Sequence, residues 1–223
     1  MRWIEQPIFF LDFEGSLASG VLEYGVATLQ GGRVVEARTR RCRATGPVRA
    51  EDAAVHGLQA ADVAAEPALA ADWEYFAGLR ERGPLAAHYA QVENSLLKSV
   101  WPYPRTGPDF ARPGARVTDW GPWIDTGRLY AQMAPLPPSL KLEDLVAACG
   151  LQAALTDLAA IHCPAARRHY HGALYDALAG ALLLGRLAAD PTLSEKSTAW
   201  LLQMSTLNPE KRDRLRQRTL FES

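Results

Sequence analysis

The sequence has few cysteines, no long apolar run and almost no net charge. Its three cysteines, Cys42, Cys149 and Cys163, lie far apart, which argues against a Cys-x-x-Cys zinc site and a disulfide scaffold. No stretch approaches the about 20 apolar residues that span a bilayer. The N-terminus lacks the apolar segment of a secretion signal. These absences predict a cytoplasmic protein without a membrane partner.

The formal net charge of −1 gives no overall positive field that would identify nucleic acid as a partner. Basic residues do cluster at 33–49 and 211–218, where a solvated surface is the default interpretation. Of the 223 residues, 48% are hydrophobic, which is enough for the core of one domain. The composition therefore predicts one globular domain with room for a helical extension.

A pair of carboxylates ends the first apolar run. Residues 8–11 are followed by Asp12, Phe13, Glu14 and Gly15, and such a run predicts a strand buried on both faces. Because strand side chains alternate, Asp12 and Glu14 point to the same face. They are either a solvated pair at a strand end or ligands of a divalent cation such as Mg2+.

The remaining pattern predicts a mixed α/β chain. Runs at 21–30 and 33–42, joined by Gly31-Gly32, form a hairpin that extends the first strand into an antiparallel meander. Short apolar runs at 84–88 and 122–124 predict a fourth and a fifth strand. Helices are predicted at 50–65, 67–83, 89–100, 127–133, 140–148, 171–187, 194–204 and 209–220.

Segment 101–123 stands apart because it holds five aromatic residues and five prolines. Proline at this density predicts irregular structure, and linkers carry few aromatic residues. Long loops in compact domains are often functional. The segment either packs on the body of the domain as a lid or contacts a substrate.

Three further residues are candidates to complete a metal site. Glu93 lies in the first turns of a helix, where the helix dipole also favours a negative charge. Asp176 lies in the most apolar helix, so it needs a ligand or an ion pair with Arg167 or Arg168. His171 is five residues earlier, about 140° around a regular helix, so both reach one site only if His171 precedes the helix or starts it. Histidine titrates near neutrality and suits a general base.

Three motifs follow one another along the chain: Asp12-Phe13-Glu14, His88-Tyr89-Ala90-Gln91-Val92-Glu93 and His171-Gly172-Ala173-Leu174-Tyr175-Asp176. In this order they resemble the motifs of the DEDDh-type 3′–5′ exonucleases, the DnaQ-like family of polymerase proofreading subunits, RNase T and oligoribonuclease. Residues 53–63, around His56, also resemble the His-Gly-Ile stretch of the family, and 124–126 with 141–145 resemble its segment between the second and third motifs. The resemblance runs from about residue 7 to 187.

The resemblance implies a ribonuclease-H-like α/β fold. In this fold a mixed five-stranded sheet, the antiparallel meander plus two further strands, is flanked by helices. The exonuclease domain is expected at 1–190, with 101–123 as an insertion longer than is usual in the family. Residues 191–223 are expected to form a helical extension packed on the same domain.

The resemblance also implies a reaction and its residues. Two Mg2+ or Mn2+ ions about 3.5–4 Å apart would support release of nucleoside 5′-monophosphates from single-stranded or frayed 3′ ends of DNA or RNA. His171 would be the general base, and Phe13 and Leu17 would stack on or wedge the terminal base. The implied metal ligands are Asp12, Glu14, Glu93 and Asp176, and the implied substrate contacts are Phe13, Gly15, Leu17, His56 and His88.

Two positions depart from the family pattern. Tyr89 stands where the family commonly has Asn, and Glu93 stands where it has Asp. An extra methylene displaces the carboxylate, and a shift of about 1 Å can cost about a hundredfold in rate. The alternatives are therefore a catalytically weakened nucleic-acid-binding protein with an exonuclease fold, and an unrelated phosphoesterase. A protein partner or a homodimer is compatible with the sequence.

Overall fold

The computed structural model describes residues 1–133 and 137–206, and its central element is a mixed five-stranded sheet. The strand order in this sheet is β3-β2-β1-β4-β7, and β5 pairs only with β6. β1 pairs antiparallel with β2 and parallel with β4, so the predicted meander and mixed sheet are confirmed. The strands are β1 (Ile8–Ser16), β2 (Gly20–Gln30), β3 (Arg33–Arg41), β4 (Leu85–Ala87), β5 (Gly107–Pro108), β6 (Arg116–Val117) and β7 (Ile124–Asp125).

The helices follow the predicted order with shorter bounds. The predicted helix 50–65 ends at His56, because Gly57 adopts the left-handed conformation and closes it. Helix α6 has no counterpart among the predicted elements. The helices are α1 (Ala50–His56), α2 (Trp73–Arg82), α3 (Gln91–Val100), α4 (Thr126–Tyr130), α5 (Leu142–Ala148), α6 (Gln152–His162), α7 (Ala173–Arg186), α8 (Pro191–Ser194) and α9 (Thr198–Met204).

The two faces of β1 are buried in different parts of the core. Phe9, Leu11 and Phe13 point to the side of α2 and α3, where Phe13 lies 5.8 Å from the ring of Phe76. Phe10 points to the other side, where α7 crosses the sheet and brings Gly180 against its ring. Asp12 and Glu14 share the face of Phe10 because strand side chains alternate. The helix α7 therefore covers the carboxylates of β1.

Segment 101–123 packs on the body of the domain, as the lid alternative predicted. Trp120 is fully buried and its indole contacts Trp73 and Trp101. The buried Arg80 of α2 donates hydrogen bonds to backbone carbonyls of the segment, among them Pro108 at 2.9 Å and Gly121 at 3.0 Å. The prediction of wholly irregular structure is wrong at β5 and β6. This two-residue pair accommodates Pro108 because so short a ladder requires few N–H donors.

The described part of the C-terminal segment packs on the same body. The indole Nε1 of Trp3 donates to the carbonyl of Leu193 at 2.8 Å, and Leu201 and Leu202 are buried in the main core. The backbone N–H of Asp125 donates to Ser205 Oγ at 2.9 Å. The helix predicted at 209–220 lies outside the described residues.

Within residues 1–133 and 137–206, no single helix has the length and apolar composition needed to cross a membrane. Helices α5 and α6 meet this length and composition only when they are counted as one segment, and a bend of 119° separates them.

Candidate active site

Parallel pairing brings two acidic segments to the same edge of the sheet. The second half of β1 carries Asp12 and Glu14, and β4 leads into α3, whose first turn carries Glu93. Because β1 and β4 are parallel, their C-terminal ends lie at the same side of the sheet, and α3 therefore begins beside the C-terminal end of β1. Asp176 reaches this edge from the first turn of α7. Four carboxylates from three motifs therefore converge.

The tightest group within this cluster is Glu14, His171 and Asp176. Each offers a ligand atom, and these atoms lie within 4.8 Å of one another. The side chains of Glu14, Glu93 and Asp176 are buried, Asp12 is half-buried and His171 is exposed. The site therefore combines buried acidic groups with one imidazole that solvent can reach.

Burial raises the pKa of every carboxyl in the cluster. Desolvation and then the charge of Asp176 raise the pKa of Asp12 well above its usual value and that of Glu14 to about 8. Desolvation raises the pKa of Glu93 to about 8 and that of Asp176 to about 7, and Asp125 adds to the shift at Glu93. Bringing these groups together in ionised form is unfavourable unless positive charge accompanies them.

His171 lies in the loop before α7, one of the two positions that its spacing from Asp176 allows, and the predicted helix 171–187 begins two residues later than expected. The helix starts at Ala173, and His171 has a φ of 64°, which non-glycine residues seldom adopt. Its backbone N–H donates to Asp176 Oδ2 at 3.0 Å. This bond ties the loop to the carboxylate across five residues.

The ion pair considered for Asp176 is absent among the described residues. Arg167 instead forms a buried pair with Glu23 of β2, Nη2 to Oε2 at 2.7 Å. Arg168 donates to the carbonyls of Cys163 and Ala160. Asp176 is thus buried without a cationic side chain bound to it, as a metal ligand would be. Glu23 was not among the residues predicted from the sequence, although a charge within a buried strand is a signal.

Asp125 fixes the turn before α3, the helix that carries Glu93. Its carboxylate accepts from the backbone N–H of Tyr89 and of Ala90, each at 3.1 Å, and from Arg128 N at 3.2 Å. The last bond caps the N-terminus of α4. Tyr89 has a φ of 60° in this turn. Asp125 therefore positions the start of α3 in addition to capping α4.

Three of the predicted substrate contacts differ in exposure: Leu17 has an exposed side chain, Gly15 is half-buried and His56 is buried. Leu17, in the β1–β2 turn, is 69% exposed beside the carboxylates. Gly15 forms a bulge with a φ of 130°, where a Cβ would lie 2.3 Å from the carbonyl oxygen of Gly20. His56 accepts from Leu58 N through Nδ1, so its Nε2 carries the proton. That buried Nε2 has no hydrogen-bond partner within the described part of the chain.

The other two predicted contacts are engaged within the protein. The ring of Phe13 points to the core side of β1, away from the carboxylates, and packs near the ring of Phe76. Both ring nitrogens of His88 lie 2.9 Å from partners, Thr126 Oγ1 and the carbonyl of Leu140. Their geometry fits a structural role, and substrate contact at these two positions stays a prediction.

The residues present fit a hard divalent cation. Carboxylate oxygens are the ligands that Mg2+ and Mn2+ prefer. Glu93 Oε2 and Asp176 Oδ1 are buried and have no hydrogen-bond partner among residues 1–133 and 137–206. Buried oxygens without donors are costly, and a bound cation would satisfy them.

Comparison with protein-family models and with curated protein sequences finds no match. Solved structures, by contrast, are similar over most of the chain. Exonuclease X in complex with 5′-overhanging duplex DNA has a TM-score of 0.63 at 20% identity, covering 87% of this chain and 99% of that one. The nuclease domain of 3′hExo, a DEDDh family member bound to rAMP, has a TM-score of 0.59 at 14% identity, covering 87% and 97%.

The chain has the fold of the DEDDh 3′–5′ exonucleases. The predicted ribonuclease-H-like architecture is therefore confirmed. A zinc-bound complex of E. coli ExoI with single-stranded DNA shares this exonuclease fold, with a TM-score of 0.59 at 14% identity. It covers 84% of this chain and 41% of that longer one. At these identities the similarity establishes the exonuclease fold.

Proposed function

We propose that the chain is a metal-dependent 3′–5′ exonuclease that releases nucleoside 5′-monophosphates from single-stranded or frayed 3′ ends of DNA or RNA. The observation that carries the proposal is the approach of Glu14, His171 and Asp176, with ligand atoms within 4.8 Å of one another. The neighbours with this fold include nucleases complexed with duplex DNA, single-stranded DNA and rAMP.

The carboxylates of the cluster would hold Mg2+ or Mn2+, and the bound cation would acidify a water and neutralise charge on the phosphate. His171 is exposed at the rim, so its imidazole would accept the proton of the attacking water. Leu17, whose side chain is exposed, would contact the terminal base. In the proposed metal site, Asp12, Glu14, Glu93 and Asp176 are the ligands.

The test is cleavage of 5′-labelled single-stranded DNA, single-stranded RNA and duplexes with frayed ends, in Mg2+ and in Mn2+. The expected result is a ladder that shortens from the 3′ end, with EDTA abolishing it. Asp12→Asn should lower the rate by at least about a thousandfold, because it removes a charge at the centre of the cluster. Asp157→Asn, on the exposed face of α6, is the matched control and should leave the rate unchanged.

Two results would contradict the proposal. A wild-type chain as inert as Asp12→Asn, but still binding the labelled strands, would favour the weakened nucleic-acid-binding protein. Hydrolysis of a simple chromogenic phosphodiester without any requirement for a nucleotide 3′ end would favour an unrelated phosphoesterase.

A further inference from the structure

Arg167 joins three separate segments around the candidate active site. It lies in a short 3-10 turn, Ala165–Arg167, between α6 and α7, and only 6% of it is exposed. Its guanidinium contacts β2, the end of α1 and the loop that carries His171. A buried arginine with partners in three segments fixes their relative positions.

All three nitrogens of the Arg167 guanidinium donate hydrogen bonds in these contacts. Nε and Nη2 donate to Glu23 Oε2 at 3.0 Å and 2.7 Å. Nη1 donates to the carbonyl of His56 at 2.7 Å, and Nη2 also donates to the carbonyl of His171 at 2.6 Å. Lysine could not reproduce this pattern, since an ammonium group lacks the planar fork.

Glu23 binds the guanidinium of Arg167 to the central sheet. It is 2% exposed and lies directly across from Glu14 in the β1–β2 register. Its Oε2 also accepts from the backbone N–H of Ala173, the first residue of α7, at 3.2 Å. Arg167 is thereby held against both the sheet and the start of α7.

The backbone of His171 is held by two side chains, that of Arg167 four residues before it and that of Asp176 in α7. Its φ of 64° is unusual for a side chain of this size. Its carbonyl is held by Arg167, and its N–H is held by Asp176. No hydrogen bond to the imidazole is found within the described ranges, so the two backbone bonds set the position from which the ring projects.

We propose that Arg167 is a positioning residue for His171, one that acts on the reaction through the histidine and without touching the substrate. The inference rests on the proposed function, because it assigns His171 the transfer of a proton. It extends that function by placing control of the imidazole in the buried pair of Glu23 and Arg167.

The test compares Arg167→Gln in the wild-type chain and in a His171→Ala background, with the same labelled strand and Mg2+. In the wild type we expect kcat to fall about 30-fold with KM within threefold. In the His171→Ala background the same substitution should lower kcat by less than threefold, because the group it positions is gone. Arg167→Lys, which keeps the charge on a single donor nitrogen, should recover part of the rate.

Arg168→Gln is the matched control. It removes the neighbouring arginine, whose partners are carbonyls of α6 and the residue after it, and should leave kcat within twofold. The melting temperature of each variant is measured alongside. If Arg167→Gln does not fold, the comparison of Arg167→Lys in the two backgrounds decides the question.

Equal losses in the two backgrounds, or a loss that falls mainly on KM, would overturn the inference. Amide hydrogen exchange provides a readout without activity, because Arg167→Gln should raise exchange at residues 169–173 at least tenfold and Arg168→Gln should not. An inert wild type would contradict the proposed function, and unchanged exchange at 169–173 would contradict the positioning of the loop. The two failures are therefore distinguishable.

Discussion

Glu93 is one methylene longer than the aspartate of the family motif, and the structure accommodates its length. The side chain is buried, and its Oε2 has no hydrogen-bond partner among the described residues. Asp125 fixes the turn that leads into α3, so the backbone cannot readily advance to compensate for a shorter side chain.

Glu93→Asp should therefore lower kcat by about 10–100-fold, since the carboxylate retracts from the cluster by more than 1 Å. Glu93→Gln should lower it further, because it removes the charge. Single-turnover cleavage with saturating Mg2+ measures both. A rate that rises in Glu93→Asp would mean that the glutamate impairs the site.

Only part of the basic stretch on β3 faces the site. Arg38 and Arg40 point to the other face of the sheet, where both pair with Asp72. Arg41 lies across from Glu23, which lies across from Glu14. With strands about 4.8 Å apart, its backbone is about 10 Å from that of Glu14.

Arg41→Gln should raise KM about three- to tenfold with kcat unchanged, because Arg41 is placed to contact a phosphate upstream of the cleaved bond. The slope of log KM against log salt should fall by about one. Arg33→Gln, at the opposite end of β3, is the control and should alter neither quantity. Equal effects of the two substitutions would mean that the charge acts at long range.

At the scale of elements, the start of α7 lies directly on the backbone of β2. A Cβ on Gly25 would lie 2.3 Å from Ala173 O and from Leu174 N. Gly25 pairs with Asp12 across the sheet, so the missing side chain lets the first turn of α7 bring Asp176 to the cluster. Any side chain at this position must push the helix away.

Gly25→Ala should lower the free energy of unfolding by about 3 kcal/mol, from overpacking. It should also lower kcat at least a hundredfold through the displacement of Asp176. Gly78→Ala, within α2 and facing open space, should instead stabilise the protein by about 0.5–1 kcal/mol. Urea unfolding and cleavage assays compare the two, and a Gly25→Ala variant with normal kcat would contradict the argument.

The sequence predicted these elements well where one pattern dominates. The alternation of Asp12 and Glu14 predicted their shared face, and the five-residue spacing restricted His171 to the start of its helix or the loop before it. Long-range contacts carry no such pattern. Nothing near Glu23 in the sequence points to Arg167, and strand propensity does not show that Phe13 faces the core. Helix α6 was missed because its start carries no capping side chain, although Pro164 just after its end is a boundary signal.

Across the whole molecule, the raised pKa values of Glu14, Glu93 and Asp176 link stability to pH. The folded chain holds protons on these carboxyls up to pH 7–8, whereas the unfolded chain releases them near pH 4. Between these limits the folded state binds more protons, so the free energy of unfolding decreases as pH rises.

We expect the melting temperature in EDTA to fall by on the order of 5–10 °C from pH 5.5 to pH 8.5, apart from effects of other groups. Mg2+ or Mn2+ should raise it, most at the higher pH, because the cation binds the ionised form. Calorimetry at several pH values measures both effects. Glu14→Gln combined with Asp176→Asn should flatten the dependence, and an unchanged slope in that variant would refute the link.

The position of β3 at the edge of the sheet also affects whether two molecules of the protein can pair through their edge strands. It is the outer strand of the sheet, nine residues long, and its outward backbone groups offer a template for strand addition. Arginines at four positions of β3 place positive charges along this edge strand, and like charges on two copies would repel. The strand at the other edge of the sheet, β7, is only two residues long. The basic stretch thus protects the chain from edge-to-edge aggregation, whatever share of it meets a nucleic acid.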